Sequence, residues 1–95
     1  MATLTNAEIL AKVKTGLGIA HAYQDEVLQI YIDEVMAFMI GAGVPASVVS
    51  DSAAAGCILR GVVDLWNYGS GSASLSPYFK QRVTQLAMQG AGENV

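Results

Sequence analysis

Apolar residues recur every three or four positions along most of this chain, the spacing that places side chains on one face of an α-helix. The longest such stripe consists of Leu28, Ile32, Val35 and Met39, with polar residues at many of the positions between them. We find no convincing strand pattern anywhere in the sequence. The periodicity therefore predicts an all-α fold.

Residues that start and end helices divide this pattern into segments. Thr5 and Glu8 have the spacing of a capping box at the start of the first helix. Ser76 followed by Pro77 fits the N-cap and the first turn of the last helix. The sequence predicts helices at about 6–16, 24–42, 50–68 and 76–89.

Two glycine-containing stretches are expected to lie outside the helices. We predict a flexible loop at 69–74 and a flexible C-terminal tail at 90–95, because glycine favours irregular backbone. The 95 residues leave room for a single domain. The prediction is a small bundle of about four helices that spans residues 1–95.

The third predicted helix has one side made of unusually small residues. Ala53, Gly56, Cys57 and Gly61 share this side. Each glycine inside a helix costs about 1 kcal/mol relative to alanine. We therefore expect another backbone to come close to these positions.

The chain is more apolar than a small isolated domain needs to be. Hydrophobic residues make up 53% of it and charged residues only 14%, whereas charged residues make up about 25% of a typical domain. The apolar residues in excess of one core-facing stripe are Ile30, Met36, Ile40 and Met88. We expect other chains to cover part of this surface.

Two large aromatic residues, Trp66 and Tyr68, end the third predicted helix beside the glycine–serine loop. In one interpretation they anchor an interface with a neighbouring subunit. In the other, Trp66 closes the monomer core beside Ile58 and Val62. Both interpretations fit the sequence, and we expect Tyr68 and Tyr78 to be exposed.

Charge and hydropathy argue against two classes of partner. The net charge is −3, and the five basic residues are scattered, which argues against tight nucleic-acid binding. Arg60 and Asp64 are four residues apart and are expected to form an exposed pair. The most apolar stretch, 35–48, is interrupted by glycines and a proline, so we expect no membrane span.

The sequence offers little to catalysis. His21 is the only histidine and lies in a connector, while Cys57 is the only cysteine and lies among small apolar residues. Together they are too few for a common zinc site. Neighbouring acids such as Asp33 and Glu34 point about 100° apart on a helix and do not share a proton. We predict that the protein is not an enzyme and uses no cofactor or metal.

The order of segments along the chain resembles that of a known family. The most specific pieces are D..L..YI, which starts at Asp25, and DLWNYGSG, which starts at Asp64. EILAKVKTGLGI precedes them and LSPYFKQRVTQLAM follows them. Over about residues 7–89, the chain resembles the head–tail connector proteins of tailed bacteriophages, also called adaptor or head-completion proteins.

This resemblance implies a structural role in the virion. Members of the family are small α-helical proteins that form a ring, typically dodecameric, below the portal protein. The ring extends the DNA channel and presents a surface to the stopper or tail-completion protein, while DNA passes through the lumen without tight binding. The implied location is the head–tail interface of the virion, after synthesis in the cytoplasm of the host bacterium.

The contacts with sister subunits or the portal are expected to involve apolar and aromatic residues with their polar neighbours. The candidates are Ile30, Asp33, Ile40, Trp66, Asn67, Tyr68, Tyr78 and Met88. Two alternatives are a small helical module that binds a protein partner and a helix-turn-helix DNA-binding regulator. In the regulator, the helices at 50–68 and 76–89 would form the helix-turn-helix pair, and the latter would carry Lys80 and Arg82. Two cations are few for a DNA-binding surface.

Overall fold

The structure, a computed structural model, describes residues 3–68 and 75–93. In chain order its elements are α1 (Asn6–Leu17), α2 (Asp25–Gly41), α3 (Ala46–Val49), a 3-10 turn (Ser52–Ala54), α4 (Ala55–Tyr68) and α5 (Pro77–Glu93). Apart from one isolated bridge between Thr3 and Asp51, the described residues contain no β-structure. The prediction of an all-α bundle is confirmed.

Several helix ends follow the local chemistry that the sequence predicts. At α1, the Glu8 amide donates to Thr5 Oγ1 over 3.1 Å, and the Thr5 amide donates to Glu8 Oε1 over 2.9 Å. Gly18 ends this helix with a φ of 73°, a conformation that favours glycine. At α5, the amide of Phe79 donates to Ser76 Oγ over 3.2 Å. Both predicted N-caps are confirmed.

The helix predicted at 50–68 begins later than expected. Asp51 has an extended backbone, and its Oδ2 accepts a hydrogen bond from the Ala53 amide over 2.9 Å. This side chain binds an amide near the predicted helix start, so a 3-10 turn forms first and α4 begins at Ala55. The short helix α3, which the sequence did not predict, directly follows Pro45.

The last helix is longer than predicted. α5 continues to Glu93, so the predicted helix end at about residue 89 is wrong, and residues 90–93, which were assigned to a flexible tail, are helical. Glycine costs about 1 kcal/mol in a helix but is not sterically excluded from one, and no proline follows residue 89. The predicted loop at 69–74 and the end of the tail at 94–95 lie outside the described residues.

The central element is α4, which packs against α1, α2 and α5. The stripe of α2 that was predicted to face the core is fully buried. Most of the largest fully buried side chains come from the four long helices; they include Ile9, Leu28, Ile32, Met39, Ile58, Leu65, Phe79 and Leu86. One continuous core therefore joins the four long helices.

At Gly61, α4 lies too close to its neighbours to accommodate a larger residue. A Cβ atom at this position would lie 2.7 Å from Cε1 of Phe79 and 2.8 Å from Cγ1 of Val35, and both side chains are fully buried. A Cβ atom at Gly56, in contrast, would meet no atom within 4 Å. The prediction that another backbone comes close is therefore wrong at both glycines: side chains come close at Gly61, and Gly56 faces open space.

Asp64 is buried, which corrects the prediction that it forms an exposed pair with Arg60. Its Oδ2 accepts a hydrogen bond from the backbone amide of Ser76 over 3.0 Å. Its Oδ1 lies 3.7 Å from Arg60 Nε. The carboxylate therefore attaches the start of α5 to α4, across a sequence separation of 12 residues that local patterns do not reveal.

Replacing Gly61 by alanine is expected to lower the free energy of unfolding by about 1 kcal/mol. The added methyl group gains about 1 kcal/mol of helix propensity, but it overpacks a site lined by two fully buried side chains, which costs about 1–3 kcal/mol. Urea denaturation followed by circular dichroism measures the change. Gly56→Ala is the matched control, since the same methyl group enters open space and should stabilise the protein by up to about 1 kcal/mol. Equal effects of the two substitutions would show that α4 is not in close contact at Gly61.

Candidate interaction surfaces

The first surface is the outer face of α2, a row of exposed residues spaced by three and four positions. It consists of Glu26, Ile30, Asp33, Ala37 and Ile40. Ile30 is 58% exposed and Ile40 is 51% exposed. Since successive residues of a helix are rotated by about 100°, this row lies opposite the stripe buried in the core. The structure thus brings three of the predicted interface residues, Ile30, Asp33 and Ile40, together on one face.

The exposure of these isoleucines is unfavourable in an isolated chain. Complete burial of such a side chain contributes about 1.5–3 kcal/mol, so covering an exposed half contributes roughly 1 kcal/mol. Single exposed apolar residues are common on monomers. Here, however, Ile30, Ala37 and Ile40 share one helix face with the acids, and apolar residues at this spacing are typical of helices that dock in a groove of another chain.

The charge of α2 is entirely negative. The helix carries Asp25, Glu26, Asp33 and Glu34 and has no lysine or arginine. Asp25 pairs with Lys14 of α1, with 2.8 Å between Oδ1 and Nζ. The other three acids have no ion-pair partner among the described residues. The outer face of α2 therefore combines apolar side chains with uncompensated carboxylates.

The second surface is a groove of about 200 Å³ between α4 and α5, which we call the α4–α5 groove. Its lining residues are Ala53, Gly56, Cys57, Arg60, Tyr78, Phe79 and Arg82. Because Gly56 has no side chain and Ala53 has only a methyl group, the α4 side of the groove has little side-chain bulk at these two positions. The bottom is formed by the buried Cys57 and Phe79 and is apolar.

Both arginines of the chain line the α4–α5 groove. The guanidinium carbon of Arg60 lies 5.8 Å from the centre of the Tyr78 ring, within the range of a cation–π interaction. Arg82 donates from Nη1 to Gln85 Oε1 over 3.2 Å. No carboxylate occurs among the described lining residues. The groove thus exposes two cations on an acidic protein; Arg60 is paired with the buried Asp64, and Arg82 has no ion-pair partner among the described residues.

Cys57 is a packed apolar group, as the sequence predicted, and is only 5% exposed. Burial raises the pKa of its thiol from the ordinary 9.0 to about 11, an effect that the positive charge of Arg82 partly opposes. The thiol is therefore protonated at neutral pH. A protonated, buried thiol is a poor nucleophile and a poor metal ligand.

The end of α4 holds three more predicted interface residues, and their environments differ. Trp66 is partly buried, and its ring meets that of Tyr31 edge-on with 6.3 Å between centroids. Trp66 thus packs against the core, in line with the second of the two interpretations left open by the sequence. Asn67 is exposed and Tyr68 is 75% exposed.

The two remaining predicted residues, Tyr78 and Met88, are exposed at 66% and 70%. Tyr78 lines the α4–α5 groove beside Arg60, whereas Tyr68 lies about 12 Å farther along α4. The two tyrosines therefore belong to different places on the surface. Met36, which the sequence grouped with the excess apolar residues, is partly buried against the core, so that interpretation is wrong for Met36.

Sequence reasoning missed the α4–α5 groove. Arg60 and Arg82 are far apart in the chain, and only the packing of α5 on α4 brings them together. One local signal was present, because Gly56 and Arg60 are four residues apart and share a helix face. Small residues on this face, however, equally predict close packing inside the protein.

Neither local chemistry nor comparison with known proteins identifies an activity. Within the described residues, no three His, Cys, Asp or Glu side chains lie close enough to hold a metal ion. His21 is exposed and stacks on Tyr23 with 4.0 Å between ring centroids. None of the described helices is long and apolar enough to cross a membrane. No family model, curated protein or solved structure matches the chain.

The rate at which iodoacetamide alkylates Cys57 is expected to depend on pH differently in the folded protein and in the unfolded chain. In the folded protein at about pH 8 the thiolate fraction should be about 100-fold lower than in the unfolded chain, because the pKa lies two units higher. The folded-state rate should still rise at about pH 10, whereas the rate in guanidinium chloride should level off above the ordinary pKa of a thiol. A folded-state rate that levels off near pH 9.0 would show that the thiol is not buried as described.

Proposed function

We propose that this chain is the repeating subunit of the head–tail connector ring of a tailed bacteriophage. In this role it lies below the portal protein, joins the head to the tail and extends the channel through which DNA passes. The observation that carries the proposal is the presence of two chemically different exposed surfaces, the outer face of α2 and the α4–α5 groove. The order of the sequence segments, which resembles that of the connector family, supports it.

Rings of identical subunits require two different surfaces on each copy. In a cyclic assembly of more than two subunits, each contact is head-to-tail, so one patch meets another patch on the next copy. The chain has an apolar, acidic helix face on one element and a basic groove on two others. Such a pair of surfaces is what a repeated head-to-tail contact needs.

The net charge suits a channel that does not bind its DNA tightly. Each copy carries −3, so a dodecamer would carry about −36. An acidic ring repels phosphates and allows DNA to slide through the lumen. The protein's own partners are then sister subunits, the portal protein and the stopper or tail-completion protein, and its location is the virion.

Assembly on a portal tests this proposal. When the chain is mixed in excess with the portal protein of its own phage, we expect a ring on the tail side of the portal in electron micrographs. A chain that remains monomeric beside an intact portal contradicts the proposal and favours the alternative of a small helical binding module. A salt-dependent shift of duplex DNA would favour the regulator instead.

Ile30→Glu is expected to block ring assembly on the portal while leaving the fold intact. Ile30 is 58% exposed, so a charged residue there remains hydrated in the monomer but becomes buried in a subunit contact. Circular dichroism should show an unchanged helix content and a nearly unchanged melting temperature. Leu28→Ala provides the contrast, because Leu28 is fully buried and its truncation should cost about 2–5 kcal/mol. A large loss of monomer stability in Ile30→Glu would show that Ile30 belongs to the core.

A further inference from the structure

The charge of the α4–α5 groove is opposite to that of α2. The groove holds both arginines of a chain whose net charge is −3. α2 carries half of the acidic residues of the chain and no basic residue. Glu26 and Asp33 are exposed on its outer face, with no ion-pair partner among the described residues. The two surfaces are therefore complementary in charge.

We infer that the α4–α5 groove of one copy receives the outer face of α2 of the next copy. Arg60 and Arg82 then face Glu26 and Asp33, while Ile30, which lies between the two acids on its helix, covers the apolar bottom of the groove. The inference rests on the proposed ring and names the two surfaces that close it. A second copy of this chain is thus the occupant of the groove.

The shape of the groove agrees with a helix as its occupant. Apart from its chain neighbours and the adjacent backbone of α4, no described atom lies within 4 Å of the position that a Cβ at Gly56 would take. Packing within one copy therefore gives no reason for a glycine there, although glycine weakens the helix. With Ala53 beside it, Gly56 lets a second helix approach to the short end of the usual range of about 8–10 Å between helix axes. Ala37 is the correspondingly small residue on the outer face of α2.

Both arginines retain donors for a further carboxylate. The one described carboxylate near Arg60 is that of Asp64, 3.7 Å from Nε, and the Tyr78 ring supports the guanidinium from one side. Arg82 gives one hydrogen bond to Gln85. A guanidinium has five N–H donors, so each arginine still has enough for a bidentate contact with a carboxylate.

The two surfaces cannot meet within one copy. α2 packs on α4 through the stripe opposite its outer face, so the outer face points away from α4. The groove, in contrast, opens between α4 and α5. A contact between them joins one copy to the next head-to-tail, and repetition of that contact closes a ring when the rotation allows it.

Two variants test the contact because each alters a different half of it. Asp33→Arg alters the outer face of α2 and keeps the groove, whereas Arg82→Glu alters the groove and keeps the outer face. In nuclear magnetic resonance spectra at about 1 mM, adding unlabelled Arg82→Glu to ¹⁵N-labelled Asp33→Arg should shift amides of the groove such as Gly56 and Tyr78. Adding unlabelled Asp33→Arg instead should shift none, because neither chain then offers an unaltered outer face to the groove of the other.

Lys80→Glu is the matched control, since it makes the same change of charge at an exposed position of α5 outside the groove. The association constant obtained from concentration-dependent shifts should fall about tenfold or more in Arg82→Glu and less than about twofold in Lys80→Glu. Combining Asp33→Arg with Arg82→Glu in one chain should restore association. Gly56→Ala should weaken association although it stabilises the monomer.

Three outcomes overturn the inference: no shifts in the mixture, shifts confined to residues outside the groove, or equal effects of Lys80→Glu and Arg82→Glu. Groove shifts caused by inorganic phosphate at about 1 mM, without any on mixing the variants, overturn it in favour of an anion site. If Arg82→Glu still forms normal rings on the portal, the contact inferred here is wrong, whereas the proposed ring itself stands. If wild-type chains associate through the groove but never assemble on a portal, the proposed phage role is wrong, whereas the inferred contact stands.

Discussion

The close contact of α4 with its neighbours at Gly61 is the constraint on which the rest of the structure depends. Val35 of α2 and Phe79 of α5 both occupy the space that a side chain at this position would fill, so two helices converge on one turn of α4. The convergence buries one stripe of α2 and leaves Ile30 on the opposite side, in contact with water. It also places α5 where Arg82 lies across a groove from α4. Both candidate surfaces are therefore consequences of the same packing.

Asp64 provides the second fixed point of this arrangement. A buried carboxylate is unfavourable unless polar partners compensate the loss of hydration. Here the backbone amide of Ser76 donates to it at the start of α5, and Arg60 lies near its other oxygen. One residue thus determines where α5 begins relative to α4 and keeps a guanidinium beside the groove. The interaction that stabilises the fold also arranges the surface proposed for assembly.

The balance of apolar and charged residues connects the fold with the proposed function. With hydrophobic residues at 53% and charged residues at 14%, the chain fills its core and still exposes large apolar side chains. A small domain has much surface for its volume, so such an excess cannot be hidden inside one copy. Contacts with identical copies would cover it, and in a ring they would do so on both sides of every subunit. The acidic helix and the basic groove would then set the orientation of neighbouring copies.

Local chemistry in the sequence determined the four long helices, several of their caps and the exposed isoleucines. The capping box of Thr5 and the cap at Ser76 involve residues only three positions apart, and the helical period by itself places Ile30 and Ile40 outside the core. Only the tertiary structure decided which of the two glycines, Gly56 or Gly61, is in close contact with neighbouring helices. Both are glycines of α4, five residues apart, yet one faces open space and the other faces two buried side chains. The burial of Asp64 and the meeting of the two arginines likewise depend on the placement of α5 against α4. Such features arise from contacts between residues that are distant in sequence, which periodicity and capping rules do not describe.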